Sequence, residues 1–500
     1  MQRSAISFAF LAALAGATAV NAQAQALPGL APPSATSQSS ESTSGGYNPA
    51  SPSGGAPSPA TQSQNPFSGS VPSKLVPGVL QLSLEQAIER GLKQNLGALL
   101  SGEDVRAARG QRWQALSALL PNATATPYVS VSQINLRELG LSFSFPGANI
   151  PSVVGPFSYF DARVNFDQSL FNWQLINQTK SAAQNVKAAQ YTYQDARDLV
   201  VLAVGFAYLQ AIADAARIET AAAQVDTAQA LYNQASDQLK AGTSPAIDAL
   251  RAKVELQTRE QQLIQARNDF AIQKLSLARV IGLAPGQEYE LTDKSPYERM
   301  GMPTVDEALK RAYATRADYQ AALASLRAAE YSRKAAFAGY YPSLSFSTDF
   351  GQGGQHPSNA SAVYDLRGTL TIPIFQGNRV HGDVLQADAQ LEQSRQRLEN
   401  VRGQIDSDVR TALLNLESSA EQVAVARSNI DLAEQTLAQS RDRFAAGVTD
   451  TVEVVQSQEQ VASAHEQFIS SLYNYNYAKI SLARALGAAE EGVKQFFKGK

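Results

Sequence analysis

The sequence predicts a mostly α-helical protein with a small β part, built from two internal repeats. Three observations predict this fold class. A long pattern of residues occurs twice along the chain of 500 residues. Two long windows without proline keep a seven-residue apolar spacing, which is typical of coiled coils. Between these windows, apolar residues recur at every second position, as they do in strands with one apolar face.

The duplication is clearest where each copy ends. Lys274–Gly282 reads KLSLARVIG, and Lys479–Gly487 reads KISLARALG. The beginnings of the copies also correspond, with LEQAIER starting at Leu84 and VDEALKR starting at Val305. These correspondences divide the chain into four parts: a first repeat over 79–285, a linker over 286–302, a second repeat over 303–490 and a C-terminal tail over 491–500.

The N-terminal region is expected to lie outside the fold. An apolar run follows Arg3, and Ala22 and Ala24 fit a small-residue cleavage site, so residues 1–24 are expected to be a secretory signal peptide. Residues 25–78 are rich in Pro, Ser, Gly, Gln and Thr and have few branched apolar residues. Such a composition buries too little apolar surface to offset the entropy of ordering, so we expect a disordered arm.

Composition and motifs exclude several function classes. The formal net charge is -3 and there is no basic cluster, so nucleic acid is not an expected partner. The chain has no cysteine, and its histidines, His356, His381 and His465, lack metal-ligand spacing. No nucleophile elbow, phosphate-binding loop or dinucleotide fingerprint occurs. We therefore expect no enzyme, no cofactor and no metal site.

Proline positions allow two very long helices. No proline lies between Trp173 and Ser244, and none follows Ile374. The seven-residue spacing continues through a glycine-containing turn in each window, which predicts a helical hairpin wound as a left-handed coiled coil. The long helix should have about 70 residues and span about 100 Å, and the return helix should have about 37. The positions are Val204, Ala211, Ile218, Val225, Tyr232 and Leu239 in the first copy, and Val409, Leu416, Val423, Ile430, Leu437 and Phe444 in the second.

Each return helix is shorter than the long helix that precedes it. Two further segments, Leu84–Leu119 and Val305–Ala338, have a helical composition rich in Ala, Glu, Arg and Leu. Each segment is predicted to be a helix that stacks end to end on a return helix and completes the pairing along the long one.

Each copy also contains a predicted pair of strands. In the second copy, Leu344–Phe350 and Leu366–Ile374 alternate apolar with polar residues. In the first copy, strands are expected at Ala123–Ser132 and Ala162–Leu170, joined by an apolar loop that contains prolines. Lengths of about 9 to 14 residues suit tilted strands that cross a bilayer.

The strands set the expected mode of membrane insertion. Beyond the leader, no stretch has the roughly 18 to 20 uninterrupted apolar residues that a membrane-spanning helix needs, so a membrane crossing would require a β-barrel. Four strands per chain cannot close a barrel, and open strand edges are not tolerated in lipid. We therefore expect an oligomer, in which three copies would supply twelve strands and a matching set of long helices.

Eight motifs occur in a fixed order from Leu82 to Gly487: LSLEQAIERGLKQN, FDQSLFNW, LKAGTSPAIDAL, LARVIG, TVDEALKRAYATRADYQAAL, LTIPIFQGN, FAAGVTDTVEVV and LARALG. In this combination the chain resembles the TolC family of trimeric outer-membrane efflux and secretion channels. The resemblance implies a homotrimer with a transmembrane β-barrel in lipid of the cell outer membrane and a coiled-coil α-helical barrel in the periplasm. It also implies an equatorial belt that includes the linker, and a periplasmic adaptor and an inner-membrane transporter as partners.

The hairpin turns are the candidate adaptor-docking site. By resemblance, an adaptor docks onto two tips with small exposed residues; a plain tight turn is the alternative interpretation. Pro245 at the first helical position and Asp450 as a capping residue are expected to start the return helices. The first tip consists of Ala241, Gly242 and Thr243, and the second consists of Ala446, Gly447 and Val448.

Two carboxylates beyond the tips are the candidate periplasmic gate. Asp248 and Glu453 lie where members of the resembled family narrow the tunnel, and threefold symmetry would turn each into a ring that favours cations. The alternative is that both carboxylates only stabilise helix N-termini. The family's second carboxylate position is occupied here by Arg251 and Gln456, which are not acids.

One motif departs from the family pattern, and one alternative function remains. The second strand exit has a glycine at Gly377, whereas the first reads Phe171-Asn172-Trp173, which leaves the bend into the long helix in question. A soluble periplasmic coiled-coil adaptor or a structural protein is the alternative, because adaptors also carry a helical hairpin. Two hairpins, each preceded by a strand pair, favour the channel. The sequence does not indicate whether drugs, metal ions or proteins are transported.

Overall fold

The computed structural model describes residues 66–138, 140, 144–145, 148–149, 151–293 and 297–496. Within these residues the protein is mostly helical, with a smaller sheet part, as the sequence predicts. The expected signal peptide, residues 25–65 of the expected arm and the last residues of the tail lie outside the described residues.

The helices have the same order in both halves of the described chain. The long helices contain 68 and 67 residues and their return helices 36 and 35, which confirms the two predicted hairpins. The first half contains α1 (Leu84–Gln94), α2 (Leu96–Ser117), α3 (Trp173–Lys240) and α4 (Ala246–Ile281). The second half contains α5 (Val305–Thr315), α6 (Ala317–Phe337), α7 (Arg379–Ala445), α8 (Thr451–Ala485) and α9 (Ala489–Phe496). Short 3-10 turns lie at Pro66–Ser68, Ala338–Tyr340 and Pro357–Asn359.

The segments predicted as single helices before each strand pair are in fact two helices each. The backbone is extended at Asn95 between α1 and α2, and at Arg316 between α5 and α6. The buried Asn95 side chain accepts a hydrogen bond from the Gly97 N–H at 2.9 Å, which caps α2. Composition alone gives no sign of this break, because helix-forming residues continue on both sides of it.

Each break receives the C-terminal glycine of a return helix. Gly282 and Gly487 both have a φ of +70°, which favours glycine. A Cβ atom on Gly282 would lie 2.4 Å from the Gln94 Cβ, and one on Gly487 would lie 2.6 Å from the Arg316 nitrogen. We call Gln94–Leu96 with Gly282 the first junction, and Thr315–Ala317 with Gly487 the second junction. The duplicated LAR motif therefore ends at a close backbone contact.

In the described part of the chain, the strands form three small sheets. The four-stranded sheet is antiparallel, with the order β2, β5, β7, β8, so strands from both halves pair through β5 and β7. A parallel pair, β1 with β6, joins the start of the first half to the linker. The strands are β1 (Leu80–Leu82), β2 (Asn122–Asn135), β3 (Ser144–Phe145), β4 (Ala148–Asn149), β5 (Val153–Phe171), β6 (Tyr289–Leu291), β7 (Ser343–Gly354) and β8 (Ser361–Thr371).

The two strands of the first half are longer than predicted. β5 begins at Val153 rather than Ala162, so much of the expected apolar loop is strand. Apolar residues occupy both faces of that segment, which hides the two-residue period. At the strand exit without glycine, Asn172 caps α3 by accepting a hydrogen bond from the Leu175 N–H at 3.1 Å. This cap makes the turn from β5 into α3 without a glycine.

The four-stranded sheet has one apolar and one polar face. On the polar face, Arg163 pairs with Asp161 at 2.8 Å and with Asp349 on the neighbouring strand at 3.0 Å. The apolar face is exposed to the surroundings of the chain rather than covered by helices. Its side chains include Ala123, Ala125, Val129, Val164, Phe166, Phe346, Phe350, Tyr364, Leu366 and Leu370.

The expectation of a disordered arm over 25–78 is wrong for residues 66–78, which we call the strap. The strap is bound to the first junction through its backbone: the Val71 N–H donates to the Gln94 carbonyl at 2.9 Å, and the Ser73 N–H donates to the Gly282 carbonyl at 2.8 Å. Carbonyl groups at helix C-termini lack partners within the helix, so the strap satisfies them. Because main-chain bonds hold it, its composition gives little sign of order.

Three groups of buried apolar side chains hold the helices together. The first surrounds Val204 on α3 and extends to Ile480 on α8, and the second surrounds Val409 on α7. Both lie at the level of the short helices. In the described part of the chain, α3 alone has an 18-residue window apolar enough to cross a membrane. Because 61% of that window is buried inside the protein, we interpret α3 as a core helix.

Candidate functional site

The two predicted tips lie at the same end of the molecule. A third apolar cluster, near the tips, contains Leu231 of α3, Ala252 of α4, Phe444 of α7 and Val454 of α8. All four long helices therefore pack against one another beside the turns. The sequence predicts two hairpins but not that their ends come together.

The first tip is a helix C-terminus closed by a glycine. Gly242 has a φ of +71°, and its N–H donates to the Leu239 carbonyl at 3.0 Å. The Thr243 N–H reaches back to the Gln238 carbonyl at 2.9 Å, which completes a Schellman motif. Pro245 lies just before α4 and not at its first helical position as predicted.

The second tip has the same geometry. Gly447 has a φ of +73°, and its N–H donates to the Phe444 carbonyl at 3.0 Å. The Val448 N–H donates to the Arg443 carbonyl at 3.0 Å. Asp450 caps α8 as predicted, since its carboxylate accepts a hydrogen bond from a backbone N–H two residues later at 3.2 Å. The two turns thus have the same backbone conformation and differ only in their side chains.

All six tip residues are exposed, and the Val448 side chain is 69% exposed. A Cβ atom added to Gly242 or Gly447 would have no neighbour within 4 Å. The glycines are therefore required by backbone conformation and not by crowding within the chain. Space above both tips is open, and adaptor docking there stays a prediction.

The first candidate gate residue is held within its own hairpin. Asp248 is 7% exposed and accepts a hydrogen bond from the Ser244 hydroxyl at 2.9 Å. Arg251 approaches the same carboxylate at 3.8 Å. Asp248 lies in the first turn of α4, where a carboxylate also interacts favourably with the helix N-terminus.

The second candidate gate residue is more accessible. The Glu453 side chain is 34% exposed and accepts a hydrogen bond from the Thr449 hydroxyl. Arg443, from the end of α7, approaches its carboxylate at 3.5 Å. Glu453 does not bond back to the N–H of the capping residue Asp450, so no capping box forms at the start of α8. The structure brings neither gate residue into contact with the other, and the gate stays a prediction.

Sequence reasoning missed a polar seam between the hairpins. Glu255 and Arg259 form a buried ion pair on α4 at 2.6 Å. On α8, Gln458 is 6% exposed, and neither of its amide atoms has a partner among the described residues. Two cavities of about 460 and 410 Å³ lie beside these groups. Polar residues at seven-residue spacing on α4, namely Asp248, Glu255 and Gln262, were the available signal.

Sequence reasoning also missed a charge network at the second junction. Arg316 is 2% exposed and binds Asp318 at 2.6 Å and Asp408 on α7 at 2.9 Å. Arg484, of the duplicated LAR motif, binds Asp195 on α3 at 2.5 Å. These ion pairs connect α6, α7, α8 and α3. The first junction has the neutral Asn95 in the position of Arg316, so the two junctions are held by different chemistry.

One carboxylate of this network titrates near neutral pH. Burial raises the pKa of Asp198 to about 6, against the lowering effect of Arg484 and with the help of the carboxylates of Asp195 and Glu490. No hydrogen bond within the described residues reaches the side chain of Asp198.

Comparison with known sequences finds the family. The model of the outer membrane efflux protein family matches residues 102–283 and again residues 308–488. The pyoverdine export outer membrane protein OpmQ of Pseudomonas aeruginosa is 23% identical over 421 residues, which cover 82% of this chain and 86% of that protein. The outer membrane protein TolC of Escherichia coli is 22% identical over 459 residues, which cover 84% and 87%.

Comparison with solved structures finds the same fold. The outer membrane protein VceC of Vibrio cholerae superposes with a TM-score of 0.70 at 18% identity, over 82% of this chain and 97% of VceC. The CmeC outer membrane channel of Campylobacter jejuni superposes with a TM-score of 0.71 at 16% identity, over 83% and 88%. Because the family model matches both halves and accounts for most of the chain, this protein belongs to the outer membrane efflux protein family.

Proposed function

We propose that this protein is the outer-membrane exit duct of an efflux or type I secretion system and passes substrates from the periplasm to the exterior. One observation supports this proposal most strongly. Two long helical hairpins are joined to a β-sheet whose apolar face is not covered by helices. One end of the molecule suits lipid, and the helices that leave the sheet are long enough to reach far into the periplasm.

The sheet supports insertion as part of a β-barrel. β2 and β8 are the outer strands of the four-stranded sheet, and each has one edge without a partner among the residues that the structure describes. Open edges are not tolerated in lipid, so β8 of one copy would pair with β2 of the next. Three copies would close twelve strands, with the apolar face towards lipid and the ion pairs of Arg163 towards the lumen.

The hairpins support the same closure. Among the described residues α8 packs against α3, and α4 and α7 each keep one exposed side. Both sides expose apolar residues at helical spacing: Ile247, Leu250, Val254, Ile272 and Leu275 on α4, and Leu414, Val425 and Leu432 on α7. A ring of copies would bury the α4 stripe against the α7 stripe of the next copy, giving an α-helical barrel below the sheet.

The partners follow from the tips. A periplasmic adaptor would dock onto the exposed small residues around Gly242 and Gly447 and connect the duct to an inner-membrane transporter. Relatives are named for pyoverdine export, for alkaline protease secretion and for toluene efflux. Since these cargoes differ, we propose that the protein is a conduit and that the transporter selects the cargo.

The decisive experiment combines a carbonate wash of outer membranes with a mass measurement in detergent. We expect the mature protein to stay with the membrane and to have the mass of three chains. Release by carbonate would support the alternative, a soluble periplasmic adaptor. A stable monomer would exclude the duct, because one chain cannot close either barrel.

A substitution pair tests the helical seam. Val425→Asp places a charge in the exposed α7 stripe and should prevent assembly, because burying an unpaired charge is costly. Ala424→Asp is the matched control, since the next residue points about 100° away around the helix. Equal assembly of the two variants would contradict the α4–α7 seam.

A tip substitution tests docking. Replacing Gly242 or Gly447 by valine should weaken crosslinking to the adaptor more than it weakens the trimer, because no described residue lies within 4 Å of a Cβ atom added at either position. Undiminished crosslinking and efflux would remove the tips as the docking site.

A further inference from the structure

Three aromatic side chains form a cluster on the hairpins at the level of the short helices, and we call them the aromatic platform. Phe206 of α3 lies edge-to-face against Tyr473 and Tyr477 of α8, with ring centroids 5.9 and 5.7 Å apart. The two tyrosine rings are nearly parallel, with an angle of 9° between them. Phe206 is nevertheless 47% exposed, and both tyrosines are half-buried. An ordered aromatic surface that stays open is typical of a binding site rather than of a core.

The platform lies on the face of the hairpins that is turned away from the short helices and the linker. Tyr208 on α3 donates a hydrogen bond to the Leu82 carbonyl of β1 at 2.9 Å. Tyr475 on α8 donates to the Glu298 carbonyl of the linker at 2.8 Å. Each platform residue is two positions away from one of these tyrosines. Two positions turn a helix by about 200°, so the platform occupies the opposite face of both helices.

A polar cavity of about 460 Å³ continues the platform towards the tips. On α3, Gln210 lies one turn from the platform and donates to Asp214 at 3.0 Å. On α8, Ser470 lies one turn from the platform and donates to Glu466 at 3.1 Å. Both acceptors line the cavity, so platform and cavity form one groove between α3, α4 and α8. Along α3, the distance from Phe206 to Asp214 is about 12 Å.

The cavity carries more negative than positive charge. Its lining contains three carboxylates and two guanidinium groups, namely those of Asp214, Asp269, Glu466, Arg217 and Arg259. Arg217 is shared between Asp214 and Glu466, at 2.6 and 2.8 Å. Arg259 already has a carboxylate partner outside the lining. Asp269 accepts one hydrogen bond from a side-chain amide and has no cationic partner among the described residues. The cavity therefore attracts a cation.

We propose that this groove binds an organic cation that carries a planar aromatic group. The aromatic group packs on the platform, whose rings offer both stacking and edge-to-face contacts. The cationic group lies on an arm of about 12 Å and reaches the carboxylates of the cavity. Binding is a property of this chain and does not require transport. The position of the groove on the wall of a lumen rests on the proposed duct, because short helices inside a ring of copies would obstruct it.

Fluorescent probes test the ligand class on the full-length protein in detergent. Dansylcadaverine carries a naphthalene ring and an ammonium group at the end of a flexible arm. N-dansyl-ε-aminocaproate is the matched control, because its arm ends in a carboxylate. We expect dansylcadaverine to bind at least tenfold more tightly, and equal affinity of the two probes would overturn the charge argument. Cadaverine, which lacks the ring, should not displace the probe at equal concentration, and displacement would overturn the aromatic argument.

Matched substitutions locate the bound probe. Phe206→Leu keeps an apolar side chain at an exposed position but removes the ring, so it should weaken binding of dansylcadaverine at least fivefold. Asp269→Asn keeps the hydrogen-bond acceptor but removes the charge, so it should weaken binding at least threefold. Asp226→Asn is the control, since this exposed carboxylate of α3 does not line the cavity. Unchanged binding in Phe206→Leu or in Asp269→Asn would refute the site.

A separate experiment tests the position in the lumen, and it is simple because the chain has no cysteine. Phe206→Cys places a single thiol in the groove, and Leu75→Cys places one in the strap, at a position that is 62% exposed. A negatively charged methanethiosulfonate reagent should reduce the single-channel current of Phe206→Cys only. An unaltered current in labelled Phe206→Cys would overturn the position in the lumen. Probe binding is measured without conduction, so failure of the duct and failure of the site can be told apart.

Discussion

Four glycines with nearly the same backbone conformation allow a matched stability experiment. Gly282 and Gly487 at the junctions and Gly242 and Gly447 at the tips all have φ between +70° and +73°. An alanine at any of them is strained by about 1 kcal/mol, because L-residues disfavour this region. The surroundings differ: the tip glycines have open space, whereas Gly282 faces the Gln94 side chain and the Val71 carbonyl, and Gly487 faces the backbone of Arg316.

The structure sets the expected difference. At Gly282 an added Cβ would lie 2.4 Å from the Gln94 Cβ and 2.9 Å from the Val71 carbonyl oxygen. At Gly487 it would lie 2.6 Å from the Arg316 nitrogen. Forcing an extra carbon into a packed site costs about 1 to 3 kcal/mol. The junction variants should therefore lose about 2 to 4 kcal/mol, and the tip variants about 1.

Hydrogen exchange measures both losses in the assembled protein. Protection of amides near the substituted glycine should fall about 30-fold to 1000-fold at the junctions and about 5-fold at the tips. Alanine restricts the unfolded chain equally at all four sites, so that contribution cancels in the comparison. Equal losses at tips and junctions would show that the close contacts relax freely, and the reasoning would fail.

Three further predictions follow from the site, the strap and the charge network. Glu453→Ala should weaken block by divalent cations in bilayer recordings, and Asp248→Ala should do so less because that carboxylate is buried; unaltered block would leave both as helix-start residues. Deleting residues 27–65 should leave the assembly folded, whereas deleting 27–76 should lower its unfolding temperature because the strap is lost; equal temperatures would show that the strap is dispensable. The pKa of Asp198 is raised in the folded state to about 6, so the folded state takes up this proton first, and stability should rise as pH falls from 7 to 5. Asp198→Asn should show a smaller rise in thermal unfolding measurements, because Asp195, whose pKa is also raised by burial, still contributes; an identical pH profile would contradict the role of Asp198.

Most of the fold could be predicted from the sequence because it is built from long periodic elements. Seven-residue spacing over several turns specifies a hairpin almost independently of context. The breaks at Asn95 and Arg316 could not be predicted, since they depend on a glycine about 180 residues away in the chain. The strap at 66–78 was missed for a related reason. Its order comes from hydrogen bonds to helix ends, which leave no apolar pattern.

The positions of the two turns were predicted down to single residues, because glycine after a helix has a specific conformational meaning, whereas adaptor docking at them stays a prediction. The polar seam between the hairpins was not predicted, although its polar residues can be read in the sequence. In the sequence, Gln458 looks like any polar residue on the surface of a helix. Its burial results from the packing of the other hairpin against α8, which the sequence does not show. The gate residues Asp248 and Glu453 could be located but not assigned, because a single chain shows only their contacts within one hairpin.

The pairing of β1 with β6 and of β5 with β7 means that the two halves are joined by more than the chain between them. A cut in the linker before Tyr289 would leave the halves attached through a shared sheet, a parallel strand pair and the packing of α3 against α6 and α8. Separately produced halves should then assemble on mixing in detergent. The covalent link between the halves would then ensure that both halves are made in equal amounts. Hydrogen bonds and helix packing would define how the halves are arranged.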